Sequence, residues 1–199
     1  MTCIVAIEHE GRIYMGADSL GTAPNGEKSS RLDRKMFRNN GYLMGMFGDY
    51  RAGQIIKHRF EMPDFPPEFL PKNYLGKNLP EKICLENLPS DLLIKVENFF
   101  ATDFVDQMKF AFSESGFSWG EEDWFGFIVA YGPYFCTITC DFQVAFQSDY
   151  AAEGSGGPVA LGALSVLTDN DPIDRLRKAL ESAQKHNASV GAPFYYDHT

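Results

Sequence analysis

The 199-residue chain is 44% hydrophobic, contains 17 Phe and carries a formal net charge of -9. That length suits one domain spanning 1–199 with a sizeable core, and that apolar content excludes a disordered chain. The acidity comes without any dense Lys/Arg cluster, which argues against nucleic acid or an anionic membrane as a partner and reads as a solubility device.

The start, Met-Thr-Cys-Ile-Val-Ala-Ile-Glu-His-Glu, has no basic leader and too short an apolar stretch for a secretory signal. No apolar run reaches the ~18 residues of a membrane span. A cytoplasmic location is therefore expected. Cysteines stand at 3, 84, 136 and 140. Cys136 and Cys140 fall on the same face of a strand-like run, a spacing that suits neither a ladder disulfide nor a C-x2-C zinc pair. Reduced, mostly buried thiols are expected, with no metal and no cofactor.

In chain order, residues 2–8 and 12–17 are rich in β-formers and read as a hairpin turning at Glu10-Gly11. Residues 21–34 are polar and hold Pro24, Asn25 and Gly26, the marks of a loop. A second hairpin follows, 35–38 and 42–47, turning at Asn39-Asn40-Gly41. Residues 51–60 predict a short helix. From 62 to 89 six prolines, at 63, 66, 67, 71, 80 and 89, give an irregular excursion expected to lie on the surface or on a neighbouring subunit.

Ser90 or Asp91 would cap the next helix, where Leu93, Val96, Phe100, Phe104 and Met108 share one core-facing stripe. Runs 125–131, 134–140 and 142–147 predict three strands, and 151–154 a fourth, ending at Gly154-Ser155-Gly156-Gly157. Residues 158–167 predict a buried helix. Asp171 and Pro172 open the last helix as cap and first residue, and 192–196 predict a closing strand. Antiparallel strands with helices inserted in pairs indicate an α+β layered sandwich.

Several chemistries find no support. The four His, at 9, 58, 186 and 198, lie in no nucleophile-elbow or papain-like setting, and no G-x-S-x-G or H-E-x-x-H occurs. The Gly-Ser-Gly-Gly stretch lacks a P-loop Lys. What remains is Thr2. Removal of Met1 would leave a hydroxyl and a free α-amine on one residue, and an amine of ordinary pKa roughly 7.7–8.0 can serve as base for that hydroxyl. Asp18 closes the strand that pairs with the first one, and Lys35 opens the next hairpin. A lysine beside the hydroxyl lowers its pKa electrostatically, and an aspartate holds that lysine charged.

Four stretches carry a family resemblance: Thr2-Cys-Ile-Val-Ala; Gly16-Ala-Asp-Ser-Leu-Gly-Thr22; Lys35-Met-Phe on through Tyr42-Leu-Met-Gly-Met-Phe-Gly48; and Ala152-Glu-Gly-Ser-Gly-Gly-Pro158. In this order and spacing the sequence resembles the proteasome β-subunit family and its bacterial two-component relative, among the N-terminal-nucleophile hydrolases. The resemblance covers 2–60 and about 125–195. It implies a four-layer αββα sandwich of two antiparallel sheets flanked by helices. It implies peptide hydrolysis by Thr2 in a self-compartmentalised homo-oligomeric ring acting on a peptide or unfolded polypeptide, with an ATPase unfoldase as a candidate partner that the sequence neither requires nor excludes. Asp18, Lys35 and Ser155 match the family's catalytic partners. Gly21, Thr22, Phe47, Gly48, Asp49 and Arg51 match its substrate-binding positions, with an oxyanion donor among the N–H groups near Asp49.

Two further expectations follow from the same alignment. The pocket beside Thr2 would be lined by Gly21, Asp33, Phe37, Phe47 and Arg51, with Asp33 and Arg51 paired. The turn before the last strand would place Asn187 and Val190 where the family carries Asp and Ser. That departure, with Met1 still attached, favours an alternative: a catalytically inactive subunit that serves as a ring or scaffold.

Overall fold

The computed structural model describes residues 2–23, 25–71, 74, 88–118, 120, 124–168 and 171–199. Cys84 and much of the proline-rich stretch lie outside them.

The first hairpin is β1 (Ile4–His9) with β2 (Arg12–Ala17). Glu10 and Gly11 both take positive φ, 51° and 76°, which matches the tight turn's twist to that of the strands. Two distant strands, β10 (Tyr150–Glu153) and β11 (Tyr195–His198), complete a four-stranded sheet in the order β10-β1-β2-β11. The second sheet holds five strands, all antiparallel: β5 (Met36–Asn39), β6 (Tyr42–Gly48), β7 (Phe125–Tyr131), β8 (Tyr134–Thr139) and β9 (Val144–Phe146). The helices are α1 (Tyr50–Arg59), α2 (Ser90–Phe99), α3 (Val105–Glu114), α4 (Gly157–Leu164) and α5 (Pro172–His186).

The side chains sort into three buried layers, and these define the architecture. Tyr42, Met44 and Met46 of β6 alternate with Leu43 and Phe47. The first set packs against Ile55, Ile56, Phe100, Phe104 and Met108 of the α1–α3 layer. The second set meets Ile4, Ala6, Ile13 and Met15 of the other sheet. Cys3, Val5 and Ile7, on the remaining face of that sheet, meet Ala160, Leu176, Ala179 and Ala183 of α4 and α5. Helices, sheet, sheet and helices therefore stack as a four-layer αββα sandwich. The sheets approach closely at Gly45, where an added Cβ would stand 2.6 Å from Ile4.

Four local expectations are corrected. Segment 21–34 holds a small hairpin, β3 (Leu20–Thr22) and β4 (Lys28–Ser30), too short and too polar to show an alternating pattern. The proline-rich stretch is not a surface excursion at its start. Met62 and Phe65 are buried in the helical-side core, Phe65 stacks on Tyr131 at 4.4 Å, and Tyr42 donates to the Pro63 carbonyl. The stripe from Val96 to Met108 runs through a π-helical turn, Phe100–Phe104, between α2 and α3, and Ser90 is a first helical residue, with Pro89 ahead of it and no side-chain cap. A strict four-residue repeat drifts off one face of a 3.6-residue helix, and a wider turn brings it back. The last strand starts at Tyr195, beyond Pro193, which cannot donate to a ladder.

Candidate active site

Asp18 sits at the end of β2 with no exposed surface, and Lys35 just before β5 is 1% exposed. The Lys35 ammonium donates to Asp18 Oδ1 at 2.7 Å and to the Leu20 carbonyl at 2.8 Å. Asp18 also accepts from the main-chain N–H groups of Cys3 at 2.9 Å, Leu20 at 3.1 Å and Gly191 at 3.3 Å. A buried ion pair survives desolvation only with its remaining lone pairs satisfied, and here the chain start, the β2–β3 link and the turn before β11 all converge to do so. Burial pulls the Lys35 pKa below its ordinary value, and the Asp18 carboxylate offsets part of that pull. Burial, with the Asp18 charge adding to it, pushes the neighbouring Cys3 thiol up to about 12, so Cys3 is no nucleophile at neutral pH.

Thr2 precedes Cys3, whose N–H is held by Asp18. Its N–H donates to Ser155 Oγ at 3.3 Å, and its carbonyl accepts from the Gly156 N–H at 3.1 Å. Gly154 lies over the Thr2 carbonyl with φ of 90°, and a Cβ there would stand 2.3 Å from that oxygen. Gly156 is packed against Cys3 and Val190. The glycines flanking Ser155 thus let a β10-to-α4 corner close directly onto the chain start. Asn187 donates to the Ser155 carbonyl at 2.5 Å and its own side-chain oxygen accepts from Ser189 N–H. Val190 packs against Gly156, at the position where the resemblance sets the family's Ser.

The strand edges beside this group are readable from register. Arg31 N–H bonds Ser19 O and Ala23 N–H bonds Glu27 O. Antiparallel alternation then turns the N–H and C=O of Thr22, opposite Lys28, away from β4. On the second sheet Met46 N–H bonds Lys35 O, and Asp49 N–H bonds Trp124 O at 2.9 Å. The same alternation leaves the Gly48 N–H directed past the start of β5, two register positions beyond Lys35. Gly48 has φ of 81°, and a Cβ would strike the Trp124 carbonyl at 2.0 Å.

The remaining expectations separate. Ser155 bonds to Thr2, Asp18 to the following Cys3 and Lys35 to Asp18, while Gly21 and Thr22 follow Leu20, whose carbonyl accepts from Lys35. Asp49 does not supply the donor expected near it: its N–H is engaged by Trp124 and its carboxylate caps α1 at Ala52. The pocket composition is corrected as well. Phe47 is buried between the sheets against Trp124, whereas Phe37 packs on the opposite face of the second sheet. Asp33 is held by Arg31, whose Nε and Nη2 reach its two oxygens at 2.8 and 2.5 Å, and Arg51 lies exposed on the first turn of α1. That hydrogen bond holds the Asp33 carboxyl below its ordinary pKa, mainly through Arg31. The Arg-x-Asp spacing was the signal that could have found this pair. Among the described residues no group of three or more His, Cys, Asp or Glu is placed to hold a metal ion.

No family model matches the sequence, and no curated protein matches it either. Solved structures do match. The BPH of Thiobacillus denitrificans in complex with epoxomicin is 19% identical with a TM-score of 0.66, and 99% of this chain covers 97% of that one. A second Thiobacillus denitrificans BPH structure gives 20% and 0.64 over the same shares. The eukaryotic HslV of Trypanosoma brucei gives 15% and 0.61, with 98% of each chain covered. Together with the two sandwiched sheets and their helical layers, this near-complete overlap establishes that the chain has the fold of these BPH and HslV proteins.

Proposed function

We propose that this chain is a threonine peptidase of the proteasome β-subunit type, with Thr2 as nucleophile once Met1 is removed. The observation that carries the reading is the buried Lys35–Asp18 pair joined to the residue after Thr2. Burying such a pair costs several kcal/mol of desolvation (about 3–5 if one partner is lost), and a scaffold subunit has no use for it. The likeness to BPH and HslV, proteasome-like peptidases, supports the same class. Epoxomicin, bound in one of the BPH structures, is a ligand class to try.

In the proposed reaction the neutral α-amine of mature Thr2 takes the Oγ proton as Oγ attacks the carbonyl carbon of a peptide bond. The Lys35 ammonium favours the developing alkoxide, and Asp18 keeps that ammonium in place. The oxyanion accepts from the Gly48 N–H. Collapse breaks the C–N bond, and the ammonium of Thr2 returns its proton to the leaving amine. Water then attacks the Thr2 ester, its proton passing to the same amine, and the acid product leaves as Oγ is reprotonated. Ser155 Oγ, already within 3.3 Å of the Thr2 nitrogen, orients that amine. The substrate backbone lies as an added strand between Thr22 and the end of β6. A closed ring of identical subunits would enclose the site, with an ATPase unfoldase as the partner class that feeds it.

The test is intact mass with peptide turnover. The purified protein should lack Met1, hydrolyse unfolded peptides and bind epoxomicin, and Thr2→Ala should lose turnover by about a thousandfold or more with its assembly unchanged in light scattering. Near-normal turnover by Thr2→Ala would end the reading. A protein that keeps Met1 and forms rings without turnover would instead establish the scaffold.

A further inference from the structure

A lateral edge of the sandwich carries a cavity of about 440 Å³ that the reaction above does not use. None of Thr2, Asp18, Lys35 or Ser155 lines it. β5 is the outer strand of the five-stranded sheet and β11 the outer strand of the four-stranded one, and the cavity lies where these two edges meet. Arg38 joins them: its Nε and Nη2 each reach an oxygen of Asp197 at 2.8 Å, and Nη2 also donates to the His198 carbonyl.

The charge balance here is opposite to that of the whole chain. Arg34, Arg38 and Lys57 line the cavity against one carboxylate, Asp197, in a chain of net charge -9. Asp197 is engaged by Arg38, and among the described residues neither Arg34 nor Lys57 forms an ion pair. The Arg34 guanidinium lies over the Tyr195 ring at 4.5 Å, a stacking that orients its plane. The Lys57 ammonium stands 5.9 Å from the centre of the Phe37 ring. It also feels the Asp33 charge, but that carboxylate is already held by Arg31.

Main-chain donors add to the two cations. Met46 N–H bonds Lys35 O, so antiparallel alternation along Met36–Asn39 sends the N–H groups of Met36 and Arg38 outward, off the free edge of β5, and both residues line the cavity. The apolar part of the wall comes from the rings of Phe37 and Tyr196 and from Leu32, the most exposed large apolar side chain among the described residues. Two cations without an ion pair, set beside outward N–H groups and an apolar wall, match a dianion carried on an apolar body. A phosphate monoester bears about -1.5 to -2 charges at neutral pH and presents several acceptor oxygens. The arginine fork fits phosphate geometry, and the cavity has the size of a small-molecule site. We propose that this cavity binds a small phosphate monoester with an aromatic body, its phosphate held by Arg34 and Lys57 and its ring laid against Phe37 and Tyr196. Binding of this kind requires neither the removal of Met1 nor peptide turnover.

Calorimetric titration of the full chain in a phosphate-free buffer tests this. Phenyl phosphate should bind about tenfold more tightly than inorganic phosphate, through burial of its ring. It should also bind about tenfold more tightly than phenyl sulfate, which has the same shape and one charge fewer. Arg34→Gln and Lys57→Gln should each weaken phenyl phosphate by about tenfold, the size of a charge-assisted hydrogen bond. Lys95→Gln removes the same charge from α2, outside the cavity, and should leave the affinity unchanged. Phenyl sulfate binding as tightly as phenyl phosphate, equal losses from all three substitutions, or no saturable binding would overturn the site. A phosphotyrosine peptide that only matches phenyl phosphate supports a free small ligand. One that binds about tenfold more tightly would overturn that source in favour of a modified partner protein. Peptide turnover is measured separately, so either result here leaves the peptidase reading to its own test.

Discussion

On one side of the sandwich, α1–α3 meet their sheet through large rings. Phe60, Phe65, Phe99, Phe100 and Phe104 form a chain of edge and tilted contacts around Tyr42, with centroids 5.1 to 6.5 Å apart. On the other side α4 and α5 meet their sheet with no ring in the buried set, Ala160, Ala179 and Ala183 alternating with Leu164, Leu176 and Leu180 against Cys3, Val5 and Ile7. Large rings fill volume and tolerate rearrangement among themselves. Small side chains bring helix backbone close to strand backbone and leave little room for adjustment. The candidate site leans on the second arrangement. Ser155 and Gly156 lead into α4, Asn187 ends α5, and Gly191 follows it onto Asp18. Bulk stability and site geometry are thus assigned to opposite layers, and each assignment can be broken separately.

The largest effect is expected where the two requirements meet. Lys35→Met keeps the volume and leaves Asp18 buried with its three N–H donors and no cation. It should cost about 3–5 kcal/mol of stability and, at temperatures where the variant stays folded, remove turnover altogether. A urea titration with activity measured on the folded fraction checks both. Retained turnover would mean that the positive charge acts elsewhere, with Arg34 and Arg31 the nearest upstream cations and Lys28 the nearest upstream lysine.

A pair of variants then separates the layers. Phe104→Ala empties the aromatic side and should cost about 3–5 kcal/mol while leaving kcat per folded molecule near wild type. Ala179→Leu overfills the tight side and should cost only about 1–3 kcal/mol. Yet it should lower kcat more, because a displaced α5 carries Asn187 and Gly191 with it. If both variants lose activity in proportion to stability, the division of labour is wrong.

What the sequence disclosed follows the same division. The core-facing stripe from Val96 to Met108 was legible because ring size and spacing dictate burial, and the Asp171-Pro172 helix start because capping is local chemistry. Thr2, Asp18 and Lys35 stood out by elimination and by their places at strand ends, whereas Ser155 was identified by resemblance, since nothing in spacing alone brings residue 155 to residue 2. The β3–β4 hairpin escaped because its register is set by Ser19–Arg31 and Ala23–Glu27 hydrogen bonds rather than by apolar alternation. The Asp33 partner was misassigned for a related reason. Residue 51 looked close in an aligned frame, but a helix N-terminus turns it outward, and only the fold of the small hairpin brings Arg31 across Gly21.

Glu153 provides the smallest and most local test, because it belongs to neither layer. It follows Ala151 on the strand face directed between the sheets and pairs across β1 with Ile4. Burial raises its carboxyl above the ordinary 4.5, and the nearby buried Thr137 hydroxyl, which does not reach hydrogen-bond geometry, offsets only part of the rise. A raised native pKa means that between the ordinary and the native value the folded chain binds more protons than the unfolded one. Stability therefore falls as pH rises through that window and stays lowered above it. Glu153→Gln keeps the shape and removes the charge. Its urea midpoint should exceed wild type near neutral pH, and the difference should shrink as pH falls below the window. Because the residue sits two positions before Ser155 but outside the Asp18 network, turnover by the folded variant should change little. Coincident midpoints at every pH would show that solvent already satisfies the carboxylate. A drop in turnover larger than the Ala179→Leu effect would place the inter-sheet layer, rather than the α4–α5 layer, in control of the chain start.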